Sequence, residues 1–319
     1  MPRPRALTVV AALGVVYVIW GSTYLAIRIV IETLPPFLMA SARWIVGGVV
    51  LYVFAIRRGD GSDRPTLTHW RSAAVIGTAL CLGGNGLVAV AEQRVASGTA
   101  ALLVATVPLW LVLFEWLRHR VKPSKPVSAG LVVGFIGTGI LVLPGGAGAV
   151  DPSGAGLVLL AGAIWAAGSL YARRARLPSR PLVAAGMEMI MGGIALLVAA
   201  TIVGEWARLD LRGVSRSSGI ALAYLAVFGS IVAFTSYVWL LRNVQTSLVA
   251  TYAYVNPLVA VVLGSLIADE RLTATMIAGG LVIVAAVALI VTASGGTPRA
   301  ADEPPIEERP DLASQELPA

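Results

Sequence analysis

The chain has 319 residues, of which 57% are hydrophobic and 13% charged, with a formal net charge of +7 and a mean hydropathy of +0.82. A water-soluble domain carries about twice that share of charge, because its surface must be wetted, so a soluble globule is excluded. At about 20 apolar residues per helical crossing of a bilayer, the sequence has room for roughly ten crossings, short loops and a tail.

Apolar runs broken by charge or by Pro and Gly predict ten helical spans in chain order. The first, 7–27, carries Trp20, Ser22 and Tyr24; the second, 36–56, opens on Pro35-Pro36 and holds Arg43. The third, 70–91, contains Cys81 and Asn85, and the fourth, 97–117, contains Thr106, Pro108 and Trp110. The fifth, 127–144, carries Gly130 and Gly134, a spacing that packs helices closely by default and could also serve a dimer. The sixth, 155–172, holds Trp165 and Ser169, and the seventh, 182–203, holds Glu188. The eighth is 217–241; the ninth, 246–268, carries Thr251, Tyr252, Tyr254, Asn256 and Pro257; the tenth is 273–293. The Met-Pro-Arg-Pro-Arg start has the look of a signal peptide, but no small-residue cleavage site ends the apolar run, so the first span is expected to stay. Beyond about 294, Pro, Asp and Glu dominate, which predicts a disordered cytoplasmic tail over 294–319.

Ten spans with a cytoplasmic N-terminus place 17 of the 24 Lys and Arg residues on the cytoplasmic side and six outside. That bias sets both termini inside a cell membrane and accounts for the positive charge without a nucleic-acid partner. The lone Cys81 allows no disulfide framework, and His69 and His119 sit in charged stretches between spans. No metal or cofactor is therefore expected.

A repeat runs through the chain. A shift of 145 residues superposes Trp20 on Trp165, Arg28 on Arg173, Pro36 on Pro181, and Gly47-Gly48 on Gly192-Gly193. Further on, a shift of 149 pairs Pro108 with Pro257, Leu109 with Leu258 and Gly130 with Gly279, whereas the third and eighth spans do not register. The halves are 1–150 and 151–293. Each has an odd number of spans, so the second half must enter the membrane from the opposite side, an architecture of many secondary transporters. The fold expected is all-α, with two inverted five-helix repeats around a central cavity.

Ile-Trp-Gly-Ser-Thr-Tyr at 19–24, Pro35-Pro36 followed by Arg43, Gly-Asn-Gly at 84–86, Ala-Thr-Val-Pro-Leu at 105–109 and Tyr-Ala-Tyr-Val-Asn-Pro at 252–257 resemble the EamA-type branch of the drug/metabolite transporter superfamily. The resemblance covers about 10–293 and is strongest to bacterial inner-membrane exporters. It implies a ten-helix basket that exports amino acids, related metabolites or drugs, without fixing the substrate.

Arg43 and Glu188 are the charges deepest in predicted spans, and ionisable groups at that depth are functional candidates. Each lies seven residues past a proline, at opposite faces, so each stands about 10 Å inside a core of about 30 Å, leaving roughly 10 Å between their levels. That spacing argues against a simple salt bridge. Glu188 is a candidate proton carrier or a structural carboxylate; Arg43 is a candidate for gating or substrate contact, or a snorkelling side chain. Pro108 and Pro257 should break spans four and nine, and such pairs of broken helices mark binding regions in inverted-repeat transporters. Trp20, Ser22, Tyr24, Asn85, Thr106, Trp110, Trp165, Ser169, Tyr252, Tyr254 and Asn256 are the candidate substrate-binding residues, with Tyr252 and Asn256 one turn apart on a shared face. Near the cytoplasmic side, Glu115 should pair locally with Arg118 and His119.

The expected partners are a small-molecule substrate, the lipid bilayer and protons as a candidate coupling ion, for a monomer or homodimer. The leading substrates are amino acids, aromatic ones included, because Trp, Tyr and Asn suit an apolar body with few polar groups, whereas a phosphate carrier should hold several deep cations. A lipid flippase or scramblase on the same fold is the alternative. A membrane-embedded enzyme is disfavoured because no His lies in a span and no carboxylates pair closely, and no GxxxxGK[ST] loop is present for ATP.

Overall fold

The computed structural model describes residues 5–58, 64–142, 150–244 and 246–294. The described residues form helices and connecting turns, with no strand among them. The tail expected over 294–319 lies outside them apart from Ser294.

Nine helices among the described residues are long and apolar enough to cross a membrane, and one shorter apolar helix joins them. They are α1 (Ala6–Val30), α2 (Pro36–Arg57), α3 (Leu67–Ala91), α4 (Ser97–His119), α5 (Lys125–Val142), α6 (Pro152–Ala172), α7 (Pro181–Ile202), α8 (Arg216–Leu241), the shorter α9 (Tyr252–Ile267) and α10 (Ala274–Ser294). A single turn, Thr246–Val249, precedes α9. Val46, Val49 and Val53 of α2, Val132 and Ile136 of α5, Ile194 and Val198 of α7, and Leu258 and Val262 of α9 are all exposed. Water would not tolerate so much apolar surface; the hydrocarbon of a bilayer does.

Local chemistry starts the helices where the apolar runs begin. Pro36, Pro152 and Pro181 each occupy the first turn, where a missing N–H is harmless. Asp151 caps α6 by accepting from Gly154 N at 2.7 Å, Ser215 caps α8 from Ser218 N at 3.0 Å, and Thr66 and His69 form a reciprocal box on α3. Arg120, in the left-handed region at φ 56°, ends α4.

Two central helices depart from regular α geometry. α3 is π-helical over Thr78–Gly86 and α8 over Leu225–Val232. Runs of i→i+5 bonding this long are rare and concentrate at functional sites. Leu225 stands 147 positions beyond Thr78, so the two spans that resist alignment in sequence share a backbone irregularity at matching places.

Packing follows a regular scheme. α2 packs on α7 and α5 on α10, while α1 packs on α8 and α9, α6 on α3 and α4, α3 on α7 and α2 on α8. Close approach depends on small residues. A Cβ on Gly186 would stand 2.8 Å from the backbone nitrogen of Tyr52, and one on Gly137 would stand 3.0 Å from that of Ile283. Gly130 and Gly134 face Ile290, Ala286 and Leu109, so the GxxxG spacing in α5 serves packing within the chain.

Gly186→Val should therefore destabilise the detergent-solubilised protein by about 1–3 kcal/mol, because the obstructing atoms are backbone. Gly139→Val, with nothing within 4 Å of its Cβ, should stay within about 0.5 kcal/mol of wild type in the same thermal-unfolding measurement.

Candidate functional site

The ends of the helices form two faces of different chemistry. On one, the ends of α2, α4 and α6 carry Arg57, Arg58, Arg118, Arg120, Arg173, Arg174 and Arg176. Arg173 pairs with Glu115, Arg174 meets His119 at 3.0 Å, and the Arg180 guanidinium donates to the carbonyl of Ala55. Glu115 thus finds its ion partner on α6 rather than on Arg118 one turn along its own helix, because the ends of α4 and α6 lie side by side. The pair is about half exposed, where such bridges contribute little.

The opposite face is held by carboxylates. Glu205, on a 3-10 turn after α7, is buried and accepts from the backbone N–H groups of Phe37 (3.2 Å) and Leu38 (2.9 Å) at the start of α2. Glu270, between α9 and α10, accepts from Ser97 N at 2.7 Å and Gly98 N at 3.0 Å at the start of α4. Both carboxylates meet the positive end of a helix dipole and satisfy orphan donors. The residues at the two cap positions, Pro35 and Ala96, offer no side-chain acceptor, and that vacancy is the sequence signal that could have pointed to remote caps. Arg28 donates to the carbonyl of Glu92 at 2.5 Å, and Arg94 donates to Ser153, which in turn bonds Asp151. The Ser153 hydroxyl and Gly154 N–H hold the Asp151 carboxyl below the usual range. A cleft of about 390 Å³ opens here, lined by Arg28, Glu32, Arg94 and Glu270 among others.

Between the faces the polar and aromatic groups gather in three places. Trp20 lies 5.1 Å from Tyr237 and 5.3 Å from Tyr252, which are themselves 5.7 Å apart, and its indole N–H donates to Gly229 O at 3.2 Å. Tyr17 bonds Thr251, and Ser22 bonds Tyr224 at 2.6 Å, so α1, α8 and α9 share one aromatic cluster. Tyr24 and Tyr254 both pack against a separate apolar cluster that includes Leu103, Val158 and Ile283. Asn256 stands one turn past Tyr252, buried, with its Oδ1 unpartnered among the described residues. The sequence reading missed Tyr224 and Tyr237, since aromatics in an unregistered span carry no repeat signal.

A second group surrounds Arg43. Its Nε donates to Ser230 at 3.1 Å and its guanidinium lies 4.5 Å from the Trp44 ring centroid. At 5% exposure it does not snorkel; it ties α2 to the π-helical part of α8. Cys81 of α3 lies within electrostatic reach of both Arg43 and Glu188, while no ion pair joins Arg43 to Glu188 among the described residues. Glu188 is half-buried, with no hydrogen-bond partner among those residues.

The third group lies on α3, α4 and α6. Trp165 covers Gly84, where a Cβ would strike its ring, and neighbouring Asn85 is half-buried. Trp110 packs at a tilt on Phe114 and edge-on to Phe135, with a buried indole N–H unpartnered among the described residues. Ser169 bonds back to Trp165 O at 2.8 Å.

The helix breaks are not at the prolines. α4 opens at Thr106, whose hydroxyl donates to Leu103 O at 2.6 Å, and the chain before α9 opens at Thr251, whose hydroxyl donates to Leu248 O at 2.6 Å. Pro108 sits in the first turn after its break, but Pro257 lies inside α9. The bond Pro257 cannot make would end on Ala253, in the first turn of α9, so the chain opens one turn earlier instead.

These features define a multi-pass membrane protein with irregular helices around its centre. The EamA-like transporter family model matches the chain twice, over residues 7–143 and 152–292. The chain is 42% identical over 271 residues to the inner membrane transporter YedA of Escherichia coli K12, covering 84% of this chain and 86% of that one. It is 24% identical to the transporter YvbV of Bacillus subtilis, covering 92% and 94% of the two chains. A solved crystal structure with 18% identity superposes with a TM-score of 0.60 over 88% of this chain and 96% of its own. The protein belongs to the EamA-like transporter family.

Removing the acceptor of two buried amides with Glu205→Ala should cost about 1–3 kcal/mol of stability in thermal unfolding. Glu32→Ala, exposed on the same face, should change it by less than about 0.5 kcal/mol.

Proposed function

We propose that the protein exports small organic metabolites with an apolar body and a few polar groups, amino acids foremost, by alternating access of two inverted five-helix halves. The observation that carries this reading is the packing scheme. Exchanging α1 with α6, α2 with α7, α3 with α8, α4 with α9 and α5 with α10 turns the largest helix contacts into one another. The packing of α1 on α9 becomes α6 on α4, α3 on α7 becomes α8 on α2, and α3 on α6 becomes α8 on α1, while α2 on α7, α5 on α10 and α4 on α9 map onto themselves. Such a two-fold relation allows the halves to swap roles and so interconvert states open to either side. The paired π segments and the paired threonine breaks, Thr106 and Thr251, support it further. In this reading Thr246–Val249 and α9 together form the ninth of ten spans, 1–150 and 151–293 are the repeats, and the arginine-rich face is cytoplasmic, with both termini on that side.

Substrate enters a path between the aromatic cluster of Trp20, Tyr237 and Tyr252 and the Trp165–Asn85 side. The Asn256 Oδ1 and the Trp110 indole N–H offer hydrogen bonds that are unmade among the described residues. Ser22 edges the aromatic cluster and Tyr24 and Tyr254 the separate apolar one, while Thr106 and Ser169 hold the backbone that shapes the path. Glu188, with no hydrogen-bond partner among the described residues, is the proton carrier, and Arg43 holds α2 against α8 as the halves move. No cofactor enters the cycle.

Efflux of a labelled amino-acid panel from preloaded proteoliposomes should saturate for one class and accelerate with an imposed pH gradient. Glu188→Gln should lose the gradient response by at least about tenfold while binding is retained. Efflux indifferent to both gradient and mutation would make the protein a uniporter, and no efflux of any panel member would remove amino acids as the substrate class.

A further inference from the structure

The carboxylate face contains an acidic group that neither the helix caps nor the proposed path uses. Glu92, at the end of α3, is 0% exposed. Neither of its carboxylate oxygens has a hydrogen-bond partner among the described residues, and the buried Ser97 Oγ at the start of α4 has none either. Its neighbours are engaged elsewhere. Arg28 donates to the Glu92 backbone carbonyl rather than to the carboxylate. Arg94 is turned to Ser153, and Asp151 bonds Ser153 and Gly154. The titratable groups that face the Glu92 carboxyl are Tyr24 and Arg28 from α1 and Glu270 from the loop before α10.

A sealed carboxylate without donors is far less favourable than a carboxylic acid in the same place. Burial first, and Glu270 second, push the Glu92 carboxyl well above the usual range. Glu270 lines the cleft, together with Arg28 and with Gln93 and Arg94, which directly follow Glu92 in sequence, so water has a short route to this layer.

We propose that Glu92 is a proton-binding site that couples protonation to the opening of the carboxylate face, with Glu270 as the group that responds. The inference rests on the transporter reading and adds to it the place at which one gate senses the proton. With the face closed, Glu92 holds its proton and is neutral, so Glu270 stays on the amides of Ser97 and Gly98. When water reaches the site, the proton passes from the Glu92 carboxyl to water, and the carboxylate left behind repels Glu270 from the start of α4. The closed state binds the proton more tightly than the open one, so raising the pH on this face favours opening.

Two measurements on the full-length reconstituted protein test this without any substrate. Infrared difference spectra through a pH titration should show a protonated carboxyl band at neutral pH that is absent in Glu92→Gln and retained in Glu188→Gln, with Glu92→Asp restoring it at a shifted position. Persistence of the band in Glu92→Gln overturns the proposal, as does its loss on adding sodium at fixed pH, which would mark a sodium site. In a Cys81→Ala background, Ser97→Cys should be labelled by a membrane-impermeant maleimide at least about tenfold faster as the pH rises by one unit or more, relative to a free thiol. Adding Glu92→Gln should abolish that extra rise. Neutralising Glu92 would by itself ease ionisation of the nearby thiol and speed labelling, so slower labelling cannot come from that effect. Equal pH responses with and without Glu92→Gln overturn the proposal. Because neither readout needs transport, failure of the efflux experiment leaves these results separately interpretable.

Discussion

An unpaired peptide group in hydrocarbon costs several kcal/mol, with no water to relieve it. This one constraint organises the whole molecule. It makes every membrane-crossing element helical, and it requires that each departure from the α-helix be repaired locally. The breaks at Thr106 and Thr251 satisfy it with the threonine hydroxyl itself, which donates to the carbonyl three residues back. The π segments satisfy it by changing the bonding register rather than abandoning it. Irregular backbone is thereby confined to the centre, where α3, α4, α8 and the start of α9 meet the other helices.

The same constraint explains the carboxylate face. The starts of α2 and α4 present orphan N–H groups without a local acceptor, and Glu205 and Glu270 supply acceptors from more than 160 residues away. A cap that comes from the other half of the chain is also a mechanical link between halves. Its strength depends on the carboxylate charge, so a neighbouring titratable group can modulate it. On the arginine-rich face the links are more exposed, and a difference in how firmly two faces are held is what the alternating access proposed above requires of any one state.

Several readings of the sequence carried through to the helices almost residue by residue, because apolar run length and terminal prolines report directly on the bilayer and on helix starts. The second span, expected over 36–56, is Pro36–Arg57, and the seventh, expected over 182–203, is Pro181–Ile202. Other readings failed for a stated cause. Pro257 was expected to break its helix, but the strain moved one turn upstream to Thr251, because a threonine can repair an opening that a proline ring cannot. Glu115 was matched by i+3 and i+4 spacing to Arg118 and His119, yet two helix ends brought Arg173 closer. Arg43 had a snorkelling alternative, which the Ser230 hydroxyl removes.

What the sequence determined by itself is the solvent, the all-helical class and the family resemblance, since these follow from composition, run length and short motifs that act within one helix. Tertiary structure alone decided which carboxylates matter. Glu92, Glu205 and Glu270 sit at span ends where a charge is unremarkable in sequence. Their roles depend on which helix start or which empty space the fold places against them, and that is fixed by packing between elements far apart in the chain.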